Sequence, residues 1–182
     1  NIKCVGVKAP QFSFSRLKGA DPVLTVEMTS TGEVACLGDD LHEAFMKSIL
    51  STGFKLPKKS VLISISGDEA RYKFLDSTKT LKKMGFEIYA TEHTSDFLTK
   101  NKIKNTLVEK IHEHAGHTEH DNNILDLLEG KKLDLVINIP SEYTPQSFDD
   151  EYVIRRKSAD FSIPLITNVQ LARLFVDSLK KR

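Results

Sequence analysis

The residues best suited to chemistry lie in Tyr89-Ala90-Thr91-Glu92-His93-Thr94-Ser95-Asp96, where a short apolar run gives way to a helical one carrying two threonine hydroxyls. At a strand-to-helix junction the first backbone N–H groups of the helix lack internal partners and the helix dipole favours negative charge. A phosphate or carboxylate can be held there, with the threonine hydroxyls as added donors. Helix capping accounts for the same residues and is the commoner use of them, because Thr94, Ser95 and Asp96 are all good N-caps. The two roles are compatible at one place.

Other groups able to hold an anion follow further short apolar runs. Arg71 or Lys73 comes after Ser66-Gly67-Asp68 on the opening turn of a helix, within reach of an anion over a strand end; a solvated first turn is the alternative for each. Lys110 closes Thr106-Leu107-Val108-Glu109-Lys110, at the same edge as Thr91 if the strands are parallel. Asn138, in Leu135-Val136-Ile137-Asn138-Ile139-Pro140-Ser141, is an amide at the end of an apolar strand, either held by a loop or offered to a ligand. His112, His114, His117 and His120, beside Glu113, Glu119 and Asp121, raise the question of a metal. That loop has Gly116 and no cysteine, and lacks the rigid frame of closed zinc sites, so a solvated loop is the simpler reading. Gly67-Asp68 forms neither a GxGxxG nor a Walker pattern, which leaves dinucleotide and NTPase readings unsupported. Arg155-Arg156 follow the acidic run Asp149-Asp150-Glu151 on a helix, where i,i+4 charge pairing explains much of their presence.

These groups meet only if the elements between them build a parallel sheet. Apolar runs at 61–65, 86–90, 106–110, 133–139 and 164–167 read as strands, and 69–84, 94–100, 122–129, 149–161 and 169–180 as helices between them. This alternation predicts an α/β fold, a doubly wound five-stranded parallel sheet of Rossmann type, in which ligands sit at the carboxyl ends of the strands. Before it, 23–28 and 33–37 read as strands around Ser30-Thr31-Gly32, and 40–50 as a capped amphipathic helix, a small α+β segment. The texture changes near Ser51-Thr52-Gly53-Phe54-Lys55-Leu56-Pro57-Lys58-Lys59, which divides the chain into residues 1–53 and 58–182.

Composition narrows the function classes. Lys+Arg 26 against Asp+Glu 25 gives the 182-residue chain a net charge of +1, so any anion site is local, and neither nucleic acid nor an anionic membrane is an expected partner. Cys4 and Cys36 show no CxxC pairing and suit free thiols in a reducing compartment. No run approaches the ~18 apolar residues of a membrane span. The start, Asn1-Ile2-Lys3, has neither Met nor a signal-peptide profile and reads as the cut end of a larger protein.

Glu27-Met28-Thr29-Ser30-Thr31-Gly32-Glu33-Val34 followed by a helix, then Ala90 to Asp96, Val136-Ile137-Asn138 and Tyr152-Val153-Ile154-Arg155-Arg156, resemble in order and spacing the C-terminal end of the carbamoyl-phosphate synthase large subunit. The resemblance spans essentially the whole chain. Its later motifs are shared in part with a wider group of domains named after methylglyoxal synthase. It implies that residues 1–53 are the tail of the second ATP-grasp unit and that residues from about 58 form a methylglyoxal-synthase-like regulatory domain, where an effector changes activity at distant ATP sites. The parent enzyme would make carbamoyl phosphate from glutamine-derived ammonia, bicarbonate and two ATP, for arginine and pyrimidine synthesis. Its ATP, with Mg or Mn, would bind upstream of Asn1, leaving this fragment without cofactor or catalytic residue. The implied partners are a nucleotide effector, the remainder of the large subunit, a glutaminase small subunit or domain, and further copies of the chain.

Nucleotide-controlled members of the family resemble this chain at Arg71 or Lys73, Thr91, Thr94, Lys110 and Asn138. Members activated by N-acetylglutamate carry an aromatic residue in place of Lys110 and asparagines in place of Ser141 and Asp150. Lys110 therefore favours a phosphorylated effector such as UMP, IMP or UTP, and leans toward a cytoplasmic rather than a mitochondrial protein. Ile139-Pro140 depart from the threonines of the bacterial nucleotide-binding pattern, for which Ser141 or Thr144 is the candidate substitute. Two other functions stay open. One is methylglyoxal synthase itself, with Asp121 as base, although Glu119-His120 would crowd a dianionic substrate where those enzymes have glycines. The other is an oligomerisation module.

Overall fold

The apolar runs of the second part of the chain are short, rich in β-branched residues and bounded by turns, and in the computed structural model they lie side by side as parallel strands. The structure describes residues 3–23, 32–109, 123–140 and 150–182. Within the second part run β3 (Ser60–Ile65), α2 (Asp68–Lys83), β4 (Glu87–Thr91), α3 (Glu92–Lys100), β5 (Thr106–Val108), α4 (Ile124–Glu129), β6 (Leu135–Ile139), α5 (Asp150–Asp160), β7 (Leu165–Ile166) and α6 (Val169–Lys181). The five strands lie in the order β5-β4-β3-β6-β7. From β3 the chain winds outward through β4 to β5, then crosses to β6 and winds the other way. The strand order thus reverses between β3 and β6, which is where open α/β sheets place their ligands.

Side-chain alternation separates two cores. Val61, Ile63 and Ile65 of β3, with Leu135, Ile137 and Ile139 of β6, face Phe74 and Leu81 of α2, Leu98 of α3 and Phe175 of α6. Leu62, Val136 and Val108 face the other way, onto Leu127 and Leu128 of α4 and Ile154 of α5. Asp134 fastens the amino edge. Its Oδ2 accepts from the backbone N–H of Lys59 at 2.7 Å, of Ser60 at 3.0 Å and of Lys58 at 3.3 Å, clamping the entry of β3 to that of β6. Burial pushes this carboxyl up, but the N–H groups of Ser60, Lys59 and Lys58 and the Ser60 hydroxyl outweigh it and hold it below its ordinary value.

The amino-terminal part contains β1 (Val5–Gln11), a single 3-10 turn (Phe14–Arg16), β2 (Gly32–Gly38) and α1 (Leu41–Ser51). Asp40 caps α1 by accepting from Glu43 N–H at 3.0 Å, while the Glu43 carboxylate reaches back past the N-cap to accept from Asp39 N–H at 2.6 Å, a variant of the capping box. Gly38 is needed at the strand-to-helix joint, because a Cβ there would lie 2.5 Å from the Ala44 nitrogen.

Several expectations are corrected. β2 pairs along its whole length with β1, an antiparallel strand that the sequence pattern had not revealed; of the expected strand 23–28, Val23 lies outside any strand and the rest falls outside the described residues. α3 begins at Glu92, not Thr94. The threonine is therefore inside the first turn, and Thr91 holds the N-cap position that Thr94, Ser95 or Asp96 had been expected to take. Regular pairing in β5 ends at Val108, and Glu109 forms an isolated parallel bridge with Asn123. No helix among the described residues is long and apolar enough to cross a membrane.

Candidate ligand site at the strand reversal

The site begins with a change of chemistry along one face of the sheet. Tyr89, Leu62 and Val136 are register partners across β4, β3 and β6 and belong to the apolar face under α4 and α5. Two residues further along the same strands, that row becomes Thr91, Ser64 and Asn138, exposed by 6%, 4% and 0%. The Thr91 hydroxyl donates to Ser64 Oγ at 3.1 Å, and Ser64 stands opposite Asn138 in the ladder. A buried polar row at the carboxyl ends of three adjacent strands stabilises nothing by burial and requires partners.

The row has an unfilled valence. Asn138 Oδ1 accepts from Arg155 Nη1 at 2.9 Å, whereas its Nδ2 is a fully buried donor without a partner among the described residues. Beside the row, α3 opens without a side-chain cap, since the Thr91 hydroxyl is directed to Ser64. The first-turn N–H groups of α3 thus receive nothing from the residue placed to cap them. Thr94, 2% exposed, plays a different part: its Oγ1 accepts from Ile65 N–H at 3.0 Å, pinning α3 to the end of β3.

The two candidate cations of α2 separate. Arg71 folds back over the strand end, with Nε donating to Ile65 O at 2.9 Å and Nη1 bonded to Asp68 at 2.6 Å, so it shares Ile65 with Thr94. Lys73 instead pairs with Glu69 at 2.5 Å, where both side chains are well exposed, and that hydrogen bond holds the Glu69 carboxyl below its ordinary value. The structure therefore brings together Arg71, Thr91, Thr94 and Asn138 and directs Lys73 along its own helix. Lys110 and Ser141 lie outside the described residues, as do Thr144, Asp121 and the histidine loop. Among the described residues no group of His, Cys, Asp and Glu is arranged to hold a metal ion.

The expected i,i+4 pairing of Arg155 and Arg156 is present but accounts for only part of their contacts. Arg156 does bond Asp160 at 2.5 Å, but Arg155 stands 3.9 Å from Glu151 and forms a bidentate pair with Asp21, at 2.7 and 2.6 Å. Arg156 also donates to the carbonyls of Phe14, Leu17 and Ala20. Ser64, Arg155 and Asp21 join the site beyond the residues that the sequence pattern marks. Ser64 carries the same signal as Asn138, a polar residue inside an apolar strand; the Arg155–Asp21 pair spans 134 positions and has no local signal.

A doubly wound α/β domain with buried hydroxyls and an amide gathered at the point of strand reversal is a ligand-binding architecture. The chain belongs to the MGS-like domain family, whose model matches residues 73–167. It is 47% identical over 182 residues to "Multifunctional protein pyr1-3" of Dictyostelium discoideum, covering 98% of this chain and 8% of that protein. It is 44% identical over 185 residues to "Multifunctional protein CAD" of Squalus acanthias, covering 97% and 8%. Against "Carbamoyl-phosphate synthase [ammonia], mitochondrial" of Homo sapiens the identity is 45% over 177 residues, covering 97% and 12%. The chain thus spans about a tenth of the length of these relatives.

Proposed function

We propose that this chain is the effector-binding regulatory region of a carbamoyl-phosphate synthase large subunit and that it binds a phosphorylated effector, a nucleotide such as UMP, IMP or UTP, at the carboxyl ends of β3, β4 and β6. The observation that carries the reading is the buried Asn138 Nδ2, a donor without a partner among the described residues, beside an α3 N-terminus whose cap position offers it no side-chain bond. Both invite an oxygen acceptor, and a phosphate offers several. On this reading Thr91, Thr94 and Asn138 line the site, Arg71 shapes its rim, and Lys110 and Ser141 complete it. Residues 1–53 are the tail of an ATP-grasp unit and 58–182 the regulatory domain. The parent protein makes carbamoyl phosphate from glutamine-derived ammonia, bicarbonate and two ATP, and the catalytic groups lie elsewhere in it.

The same amide donor would suit the acyl carbonyl or carboxylate of N-acetylglutamate, so that ligand belongs in the same test. Calorimetric titration of the chain with UMP, IMP, UTP and N-acetylglutamate is expected to give heat with the nucleotides. Lys110→Ala is expected to weaken their binding by about 1–3 kcal/mol, the worth of a hydrogen bond to a charged group. Heat from N-acetylglutamate alone would overturn the nucleotide assignment, and methylglyoxal formed from dihydroxyacetone phosphate above the buffer rate would overturn the regulatory one.

A further inference from the structure

Asn138 does not stand alone behind the site. Arginine has donors only, so the Asn138 amide must turn its Oδ1 toward Arg155 Nη1, at 2.9 Å, and its Nδ2 away from it. Arg155 is itself immobilised, 5% exposed, by both oxygens of Asp21. Asp21 ends a segment that α5 holds at several further points. Tyr152 Oη donates to Gly19 O at 2.8 Å, and Arg156 donates to Leu17 O and Ala20 O at 2.9 Å and to Phe14 O at 3.0 Å. A continuous chain of hydrogen bonds thus runs from the floor of the candidate site, through Arg155, into residues 14–21 of the amino-terminal part.

We infer that Arg155 is a positioning residue which fixes Asn138 as a donor, so that the site selects a ligand oxygen acceptor at this point, and which links Asn138 to the docking of residues 14–21. The ligand half of this inference rests on the regulatory reading above; the link from Asn138 to the segment does not. When Asn138 Nδ2 donates to a ligand oxygen, the amide becomes more polarised and its Oδ1 a better acceptor for Arg155. Ligand binding and segment docking then reinforce each other, and the coupling is reciprocal. Such a link gives an effector at the sheet edge a physical route to the part of the chain that precedes β3.

The test is nuclear magnetic resonance and amide hydrogen exchange on the 182-residue chain, first without ligand. Wild type is expected to show the Asn138 carboxamide protons as a resolved, slowly exchanging pair. Arg155→Met should average or lose that pair while the β6 backbone amides keep their protection, a signature that a general packing role would not produce. Asn138→Leu, apolar and similar in size, should speed exchange in residues 14–21 by on the order of tenfold or more, the loss of about one hydrogen bond to a charged group. Should Arg155→Met fail to fold, Arg155→Lys is read in its place; it keeps the charge but cannot span Asn138 and Asp21 together. UMP should then shift the Asn138 amide protons and slow exchange in residues 14–21. An unchanged Asn138 pair in the Arg155 variant, or unchanged segment exchange in Asn138→Leu, overturns the link. Binding of UMP that leaves the segment unprotected overturns the coupling. If no probe in the calorimetric panel binds, the regulatory reading falls, and the ligand-free measurements decide the link independently.

Discussion

At the scale of single residues, Thr94 shows how a side chain proposed to bind a ligand can also be a structural fastener. Its hydroxyl is the acceptor for the buried Ile65 N–H, at the last residue of β3. Thr94→Ala leaves that N–H without a partner and is expected to lower stability by about 1–3 kcal/mol in urea denaturation, before any ligand is considered. Thr94→Ser keeps the hydroxyl and should recover most of the loss. A fall in nucleotide affinity in the alanine variant therefore counts toward binding only if the variant is still folded at the temperature of the titration. Polar residues in an apolar strand were legible at this scale, since Asn138 stands out in its run and Ser64 does so equally. The buried Arg155–Asp21 pair was not legible, because its partners meet only after the sheet has formed.

Among elements, the parallel sheet was the most readable feature, because each strand is a short apolar run followed by a helix with turn residues between. Helix starts are set by side-chain hydrogen bonds as well as by hydropathy. α4 starts two residues beyond its expected start, after Asn123, whose side chain accepts from Leu125 N–H, and α6 starts at Val169, as expected, after Asn168, which accepts from Leu171 N–H. β1 escaped notice because Val5-Gly6-Val7-Lys8-Ala9-Pro10-Gln11 contains a glycine, a lysine and a proline, and it becomes a strand by pairing with β2. The clamp at Asp134 allows a test at this scale. Asp134→Asn retains an acceptor and removes the charge, so it is expected to cost about 1 kcal/mol at neutral pH, the difference between charged and neutral hydrogen bonds. The sign with pH follows from the lowered carboxyl: its stabilisation is full above the unfolded-state value near 3.8 and disappears as pH falls through the lower folded-state value. Wild type and variant should therefore differ by a constant amount from neutral pH down to about pH 5 and converge in stronger acid, as measured by urea titrations across that range. A gap that persists in acid would show that the clamp does not depend on the carboxylate.

For the whole molecule, the change of texture near residue 53 does not mark a gap in the core. Phe45 and Met46 of α1 belong to the same buried cluster as β3, β6 and Phe175 of α6, and the Phe54 ring, three residues beyond α1, stands edge-on to Phe175 at 5.4 Å. Polar contacts follow the same route, with His42 Nδ1 and Ser178 Oγ at 3.0 Å joining α1 to α6, and Ser48 Oγ donating to Val7 O at 2.8 Å to join α1 to β1. α6 thus supports the sheet on one side and the amino-terminal part on the other. Phe175→Ala is expected to cost about 3–5 kcal/mol, the usual range for emptying a fully buried aromatic site, and Phe175→Leu clearly less. Because both parts rest on α6, hydrogen exchange in α1 and in β3 should accelerate by similar factors in Phe175→Ala, as for one cooperative unit. If α1 amides accelerate while those of β3 do not, the residues before the texture change unfold as a unit of their own. A signal from the candidate site would then have to travel through residues 14–21 and α5, since α6 would no longer tie the two parts into one body.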